Sequence, residues 1–223
     1  MEYAIDIAQV CHEIGLATVA VTAGYISPEP REEFFHHMDA ANVDLKAFTE
    51  DFYWNITKGH LKHALETLEY IKLDCDTWIE LTTLVIPGEN EGDSEFDEMR
   101  GWVVEHLGPD VPMHFSVFHP DYRMMDKHHT PPETLSRARR IALKNGVHHA
   151  YIGNVRDRGR ASTYCHNCRA LLIGRDRYVL SAWHLDEADA CRQCGTPLAG
   201  RFERQPDSWG ARRLPVRMGD FTG

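Results

Sequence analysis

Residues 78–90 read WIELTTLVIPGEN, a mostly apolar stretch that closes on a Pro-Gly turn. Aromatic, β-branched and leucine residues over this length, followed by a turn, predict a β-strand over residues 78–84. Four more segments of this kind recur within residues 1–155. They are 17–22 (ATVAVT), 42–48 (NVDLKAF), 113–118 (MHFSVF) and 148–153 (HHAYIG). The chain therefore contains five predicted strands before residue 155.

Helical patterns fill the gaps between these strands, at residues 59–72 and 94–107 and from about Thr130. Ser94 is the expected N-cap of the second helix, and Gly108 follows its end. The third carries Pro131 and Pro132 in its first turn and is followed by Gly146. Alternation of strands and helices predicts an α/β fold with a parallel sheet, either open or curled into a barrel.

The chain opens on a helix with no strand before it, whereas each helix in a βα-unit fold normally follows a strand. The apolar face of this first helix includes Ala4, Ile7, Ala8 and Cys11, so we expect Cys11 to lie in the core. The strand at 17–22 would then form an exposed apolar edge, which favours self-association or pairing with a missing segment.

Composition narrows the classes of function. The net charge is −10, with +4 in residues 156–223 and −14 in residues 1–155, and the acidic body argues against extensive nucleic-acid binding. No stretch approaches the ~20 apolar residues of a membrane span. The N-terminus lacks the pattern of a signal peptide. We expect a cytoplasmic protein.

Two Cys-x-x-Cys pairs, Cys165/Cys168 and Cys191/Cys194, lie on either side of a segment that can form a hairpin, ALLIGRDRYVL. Paired knuckles of this kind predict a tetrahedral four-thiolate metal site, with zinc favoured and iron still open. Residues 156–203 are therefore predicted to be a zinc ribbon. Residues 204–223 are expected to be an irregular, Arg-rich tail.

Polar residues occur where predicted strands end, which is where parallel sheets bind ligands. Thr22 ends the first predicted strand, and Thr82 and Thr83 lie near the end of the third. Asp44 and Lys46 are two residues apart and therefore share one face of the second strand. His119 follows the fourth. An Asp–Lys pair on an inner face needs a partner or a ligand, unless the two residues pair only with each other.

The segments AVTAGYISPEP, NVDLKAF, ELTTLVIPGEN and MHFSVFHPDYRM, followed by the four-cysteine ribbon, resemble one radical S-adenosylmethionine (SAM) family. It is the radical SAM enzyme of the AmmeMemoRadiSam system, which is similar to pyruvate formate-lyase activating enzymes. The resemblance covers nearly the whole chain. It implies a partial βα barrel that holds SAM against a [4Fe–4S] cluster to generate a 5′-deoxyadenosyl radical.

The resemblance also implies site residues. Lys46 would contact the SAM carboxylate, Thr82 the ribose and His119 the adenosine end. Asp44 and Thr22 would border SAM near a monovalent-cation site. Activating enzymes commonly have Asn where this chain has Ala23. Memo-like and AMMECR-type proteins would be the partners to test.

The family's cluster motif, CxxxCxxC, does not occur in this sequence. The expectation is that the first βα units of the barrel are missing, with Met1 an internal methionine of a longer protein, the start of one half of a split gene, or the start of a degenerate remnant. The isolated chain should then be inactive in SAM cleavage.

Two other functions stay open. One is a βα-barrel lyase that uses Lys46 as a Schiff-base nucleophile, although Asp44 would favour the protonated ammonium form. The other is a non-catalytic interaction module that docks partners through the ribbon and the Arg-rich tail.

Overall fold

A parallel sheet of five strands organises the first part of the chain, and its strand order follows the sequence, β1-β2-β3-β4-β5. The computed structural model describes residues 2–202, so the predicted tail at 204–223 lies outside the described residues. The five strands are β1 (Val19–Thr22), β2 (Ala40–Asp44), β3 (Trp78–Val85), β4 (Met113–Val117) and β5 (Ala150–Gly153). The predicted α/β class with a parallel sheet is confirmed.

Helices precede the sheet and connect its strands. They are α1 (Glu2–Glu13), α2 (Pro28–His36), α3 (Glu50–Phe52), α4 (Leu61–Asp74), α5 (Asp93–Trp102) and α6 (Pro132–Lys144). Single π-helical turns extend α3 over Tyr53–Thr57 and α5 over Val103–Leu107. None of the described helices is long and apolar enough to cross a membrane.

The sheet has one buried face and one uncovered face. Right-handed crossovers between strands in consecutive order return every helix to the same side. On that side the strands bury an unbroken apolar layer, for example Val43, Leu81 and Phe115, each 1 % exposed or less. The alternate residues of β2 to β5 are only half-buried, and those of β1 are exposed. The uncovered face, called the open face below, is therefore where sheet side chains remain accessible.

Strand β1 forms one edge of the sheet. Val19 and Val21 on this strand are 62 % and 79 % exposed. The prediction for the first helix is wrong in detail, because Ile5 and Ala8 are its buried residues, Ile7 is 45 % exposed and Cys11 is only half-buried. A helix that packs beside an edge strand has little surface to bury against, so its apolar face stays partly in water.

Several boundaries differ by a few residues from the sequence prediction. The strand expected at 42–48 is Ala40–Asp44, although Leu45 and Ala47 beyond it remain fully buried. Beyond Asp44, side chains take the place of the backbone hydrogen bonds between strands. The Thr83 hydroxyl, for example, donates to the Leu45 carbonyl at 2.8 Å. Ser94 is not an N-cap, because Gly92 takes that position and the helix already begins at Asp93. Helix α6 begins at Pro132 rather than near Thr130.

The described residues from Arg156 to residue 202 form a second compact unit, distinct from those up to Val155. It contains a short helix, α7 (Arg158–Ala161), and a three-stranded sheet in the order β6-β7-β8. The strands are β6 (Thr163–Tyr164), β7 (Leu171–Asp176) and β8 (Val179–Trp183). Strands β7 and β8 are the hairpin predicted between the cysteine pairs.

Two glycines in left-handed conformations provide a test of packing in the sheet unit. Gly24 has φ of +66° and Gly15 has φ of +77°. Because a side chain is disfavoured in this region, replacing either glycine with alanine should lower the free energy of unfolding by about 1 kcal/mol from backbone strain alone. A Cβ at Gly24 would also meet the buried Val43 at 2.8 Å, whereas nothing lies within 4 Å at Gly15. We expect Gly24→Ala to lower the free energy of unfolding measurably more than Gly15→Ala in urea titrations. Equal costs would contradict the described packing.

Candidate functional site

The open face carries a row of four polar or aromatic residues, one from each of four neighbouring strands. Asp44 is in register with Thr82, Thr82 with His114, and His114 with Tyr151. Residues in register on parallel strands share a face, and adjacent strands lie about 4.8 Å apart. The row therefore runs across the sheet with functional groups at regular spacing.

Asp44 and Lys46 form an ion pair at the end of β2. The Lys46 ammonium donates to Asp44 Oδ2 at 2.6 Å, and the two side chains are 34 % and 27 % exposed. The pair is therefore reachable from solvent on the open face. In the absence of a ligand the two charges satisfy each other, which is the pairing that the sequence left open.

Two buried groups hold the backbone around Lys46. The Asn90 amide donates to the carbonyls of Lys46 and Leu84 at 2.7 and 2.9 Å, so it joins the ends of β2 and β3. The Lys46 N–H donates to the Tyr53 hydroxyl oxygen at 3.2 Å. Burial raises the pKa of Tyr53 to about 12, against the lowering effect of the Lys46 N–H, and Asp44 raises it further. The hydroxyl thus stays protonated at neutral pH.

Residue Asn90 was missed by sequence reasoning. It is 1 % exposed and its Oδ1 accepts from the Ile86 N–H at 2.7 Å, which fixes the turn after β3. An asparagine soon after a Pro-Gly turn is a common turn residue. That signal gives no hint that its side chain also reaches back to β2.

Thr82 makes a polar contact along the same face. Its hydroxyl donates to Asn42 Oδ1 at 2.8 Å, between β3 and β2. Thr82, Asp44 and Lys46 are thus brought to one side of the sheet. Asn42 was missed because only the register of β2 against β3 places it beside Thr82.

A carboxylate–imidazole pair joins His114 of this row to Glu80, which lies two residues before Thr82 on β3. Their Oε2 and Nε2 atoms are 2.8 Å apart, with side chains 37 % and 28 % exposed. The Trp78 indole N–H donates to Glu80 at 3.3 Å, and the His114 ring stacks on Tyr151 with centroids 5.0 Å apart. This arrangement orients an imidazole for hydrogen bonding or proton transfer.

The Glu80–His114 pair was also missed. Its signal was the single acid in WIELTTL and the single histidine in MHFSVF, each alternating with buried residues. A sequence pattern shows that each residue is on a face of its own strand. It does not show that the two faces are the same.

Thr22 and His119 are placed differently from the other predicted SAM residues. Thr22 is in register with the buried Val43, on the side opposite Asp44, and its Oγ accepts from the Gly24 N–H at 3.2 Å. His119 lies beyond the end of β4 and is exposed, with its Nδ1 2.8 Å from His129 Nδ1. The predicted roles of these two residues in SAM binding stay predictions.

In the second unit, the four predicted cysteine ligands converge. The Sγ atoms of Cys165, Cys168, Cys191 and Cys194 all lie within 4.8 Å of one another. The closest approaches, Cys165 to Cys194 and Cys168 to Cys191, are 3.6 Å. A tetrahedral zinc ion with Zn–S bonds of about 2.3 Å requires sulfurs about 3.8 Å apart. The four sulfurs could therefore hold one metal ion.

The two knuckles have the same backbone geometry although their sequences differ. Arg169 and Gly195, which follow the second cysteine of each pair, have φ of 64° and 71°. Their N–H groups donate to the Cys165 and Cys191 carbonyls at 3.0 and 2.8 Å. A non-glycine residue in this region is strained. The chain tolerates that strain in the first knuckle because the turn aims both thiols at one point.

The pKa values of two of the four thiols are shifted in opposite directions. The pKa of Cys194 is lowered to about 6, chiefly by the side-chain hydroxyl and the backbone N–H of Thr196. The pKa of Cys168 is raised to about 12: the Ala170 N–H lowers it, but desolvation and the three neighbouring thiols outweigh that effect. Ligation of a metal by Cys168 would therefore release its proton.

The site does not match the iron–sulfur cluster that the resemblance implies. Among residues 2–202, the four ribbon cysteines are the one group of three or more possible metal ligands, and neither Cys11 nor Cys75 belongs to it. No CxxxCxxC motif is present. The described residues therefore do not provide the three-cysteine cradle of a radical SAM cluster.

Comparison with known proteins gives two informative matches. No protein-family model matches the chain. An uncharacterized protein of Methanocaldococcus jannaschii is 39 % identical over 200 residues, which are 88 % of this chain and 58 % of that protein. The chain thus spans little more than half the length of the curated relative it matches.

The second match is a solved structure, a domain of a pyruvate-formate lyase-activating enzyme from Bacteroides vulgatus. It superposes with a TM-score of 0.60 at 16 % identity, covering 69 % of this chain and 91 % of that domain. At this identity the likeness shows the fold. The parallel sheet of this chain is thus of the same α/β type as the activating-enzyme domain.

The cysteine site generates a prediction about metal content. We expect the chain purified under reducing conditions to carry one metal ion, which Cys168→Ser removes because a tetrahedral site loses one of four ligands. Cys75→Ser, a matched change outside the group, should keep it. Elemental analysis for zinc and iron measures both variants, and equal metal loss in the two would show that the four thiols are not the site.

Proposed function

We propose that the sheet unit is the portion of a radical SAM enzyme that binds SAM on the open face, and that the enzyme is of the AmmeMemoRadiSam type. The half-exposed Asp44–Lys46 pair at the end of β2 carries this proposal. The fold shared with an activating-enzyme domain supports it. The substrate of the whole protein is left unassigned.

Lys46 is the residue best suited to the amino-acid end of SAM. That end is a zwitterion, and an ammonium can exchange an internal carboxylate for the carboxylate of a ligand in a charge-assisted hydrogen bond. Asn90 and Tyr53 hold the Lys46 backbone in place, so the ammonium is presented from a fixed position. Asp44 then becomes available to a cation or a donor group.

The other SAM contacts follow the strand ends. Thr82 lies in the row beside Asp44 and is proposed to approach the ribose. Thr22, at the carboxyl end of β1, is proposed to border SAM from the strand end, and His119 is proposed to contact the adenosine end. His114 lies in the same row as Thr82, and Glu80 lies two residues before Thr82 on β3, toward the amino end of that strand. They are proposed to contact the substrate.

The cluster that would cleave SAM reductively needs cysteines that this chain does not carry. We expect anaerobic iron and sulfide reconstitution, followed by chemical reduction, to yield no 5′-deoxyadenosine above a protein-free control. Detection of 5′-deoxyadenosine by mass spectrometry in proportion to the protein would contradict this prediction.

SAM binding itself tests the proposal directly. We expect Lys46→Ala to weaken SAM binding by about tenfold or more, the usual worth of a hydrogen bond to a charged group. Lys62→Ala is the matched control, since Lys62 is 75 % exposed and pairs only loosely with Glu66 at 3.4 Å. Isothermal titration calorimetry measures both. Absence of SAM binding by the wild-type chain, or equal affinities of the two variants, would remove the proposal.

The metal of the ribbon is proposed to be zinc with a structural role. Sulfur spacings of 3.6 Å suit a single tetrahedral ion, and Leu172, Ile173 and Leu185 form a small separate core beside it. Such a small core depends on bound metal for its fold. Mononuclear iron is the alternative, and elemental analysis distinguishes the two.

The lyase alternative is disfavoured by the 2.6 Å contact of Lys46 with Asp44, because a Schiff-base nucleophile must leave this contact before it can attack a carbonyl. Borohydride trapping with a carbonyl substrate would reveal a Lys46 adduct if the lyase alternative were correct.

The interaction-module alternative rests on the separate second unit. If deletion of residues 156–223 left binding to Memo-like and AMMECR-type proteins unchanged, the interaction-module alternative would be excluded.

The exposed edge at β1 is proposed as the contact for self-association or for an additional segment.

A further inference from the structure

A buried pair of residues closes the base of the loop that follows β4. The Phe118 N–H donates to the Thr130 hydroxyl at 2.8 Å, and the Thr130 N–H donates to the Phe118 carbonyl at 3.2 Å. The Thr130 hydroxyl also donates to the Val85 carbonyl at 2.5 Å. The two residues are 6 % and 3 % exposed. The loop therefore starts and ends at a fixed point.

His119 and His129 are the first residues on either side of this closed base. Their Nδ1 atoms are 2.8 Å apart, and their rings are nearly perpendicular at 79° with centroids 4.8 Å apart. Both side chains are exposed, so water competes for any hydrogen bond between them. Two ring nitrogens that converge from a fixed base form a preorganised pair of metal ligands.

We propose that His119 and His129 bind a divalent transition-metal ion, separate from the metal of the cysteine ribbon. Metal–nitrogen bonds of about 2.0–2.1 Å in a tetrahedral arrangement place two nitrogens about 3.3 Å apart. The exposed rings reach this spacing by opening about 0.5 Å from the observed 2.8 Å. Imidazole ligands select zinc, nickel or copper rather than magnesium or calcium.

The proposed site has open coordination positions. Among the described residues, the only group of three or more possible metal ligands is the four cysteines. At the proposed site the protein therefore provides two ligands, both of them histidines. Water or a bound molecule completes the coordination, as at metal sites that act on substrates. With the metal on Nδ1, the Nε2 of His119 would remain uncoordinated. The site is thus compatible with a contact between His119 and adenosine, but it does not depend on SAM binding.

The test uses the full chain without a polyhistidine tag, its ribbon first saturated with zinc. Nickel is then titrated by calorimetry. We expect one further equivalent of Ni²⁺ to bind, and His119→Ala and His129→Ala each to weaken that binding by about tenfold or more. His128→Ala is the matched control, because His128 is an exposed histidine of the same loop that contributes no Nδ1 to the pair.

Two additional measurements separate the possible outcomes. Zinc content before and after titration shows whether nickel has displaced the ribbon metal. Nuclear magnetic resonance of the imidazole groups should show paramagnetic broadening confined to His119 and His129. No further nickel equivalent, equal loss of binding in His128→Ala, or broadening spread over other histidines would each overturn the proposal. Circular dichroism of the variants excludes unfolding, which is not expected for exposed side chains.

Discussion

The right-handed crossover is the constraint on which the sheet unit depends. Five parallel strands in consecutive order bring each connecting helix back to the same side of the sheet. The apolar residues of every strand must then face that side, and the alternate residues must face the other. Every polar side chain that points away from β2, β3 and β4 on the uncovered side therefore belongs to one continuous surface.

The polar groups of that surface are partnered with one another. Asp44 pairs with Lys46, and Glu80 with His114, while the Asn42–Thr82 contact is neutral. Half-buried charges lose part of their hydration, so pairing removes most of the cost of holding them on a sheet. A ligand must replace these internal contacts rather than fill empty ones. Recognition on the open face would thus favour ligands that carry both a donor and an acceptor group.

The ribbon depends on a different interaction. Its backbone turns, including a strained arginine at 169, place four sulfurs around one point. Desolvation and the neighbouring thiols raise the pKa of Cys168, whereas Thr196 lowers that of Cys194. The small core around Leu172 adds little burial of its own. A metal ion held by the four sulfurs would stabilise the folded form of this unit.

Sequence reasoning found the five strands, the hairpin between the cysteine pairs, and the shared face of Asp44 and Lys46, because each rests on a period within one segment. It failed where side chains took over the role of the ladder. The second strand was placed at 42–48 since Leu45 and Ala47 continue the apolar pattern, yet the strand ends at Asp44. The side chains of Thr83 and Asn90 donate to the backbone carbonyls that follow Asp44, and no local sequence pattern predicts those hydrogen bonds.

The amino-acid sequence by itself determined which residues alternate between core and solvent, where the helices interrupt them, and that four cysteines share a metal-binding spacing. Only the tertiary structure decided which residues meet. Glu80 and His114 are 34 residues apart, and their contact follows from the register of β3 against β4. His119 and His129 meet because Phe118 and Thr130 close the loop between them. Periodicity assigns a side chain to a face of its own strand, but register and loop closure, which are set by packing between distant segments, determine its neighbours.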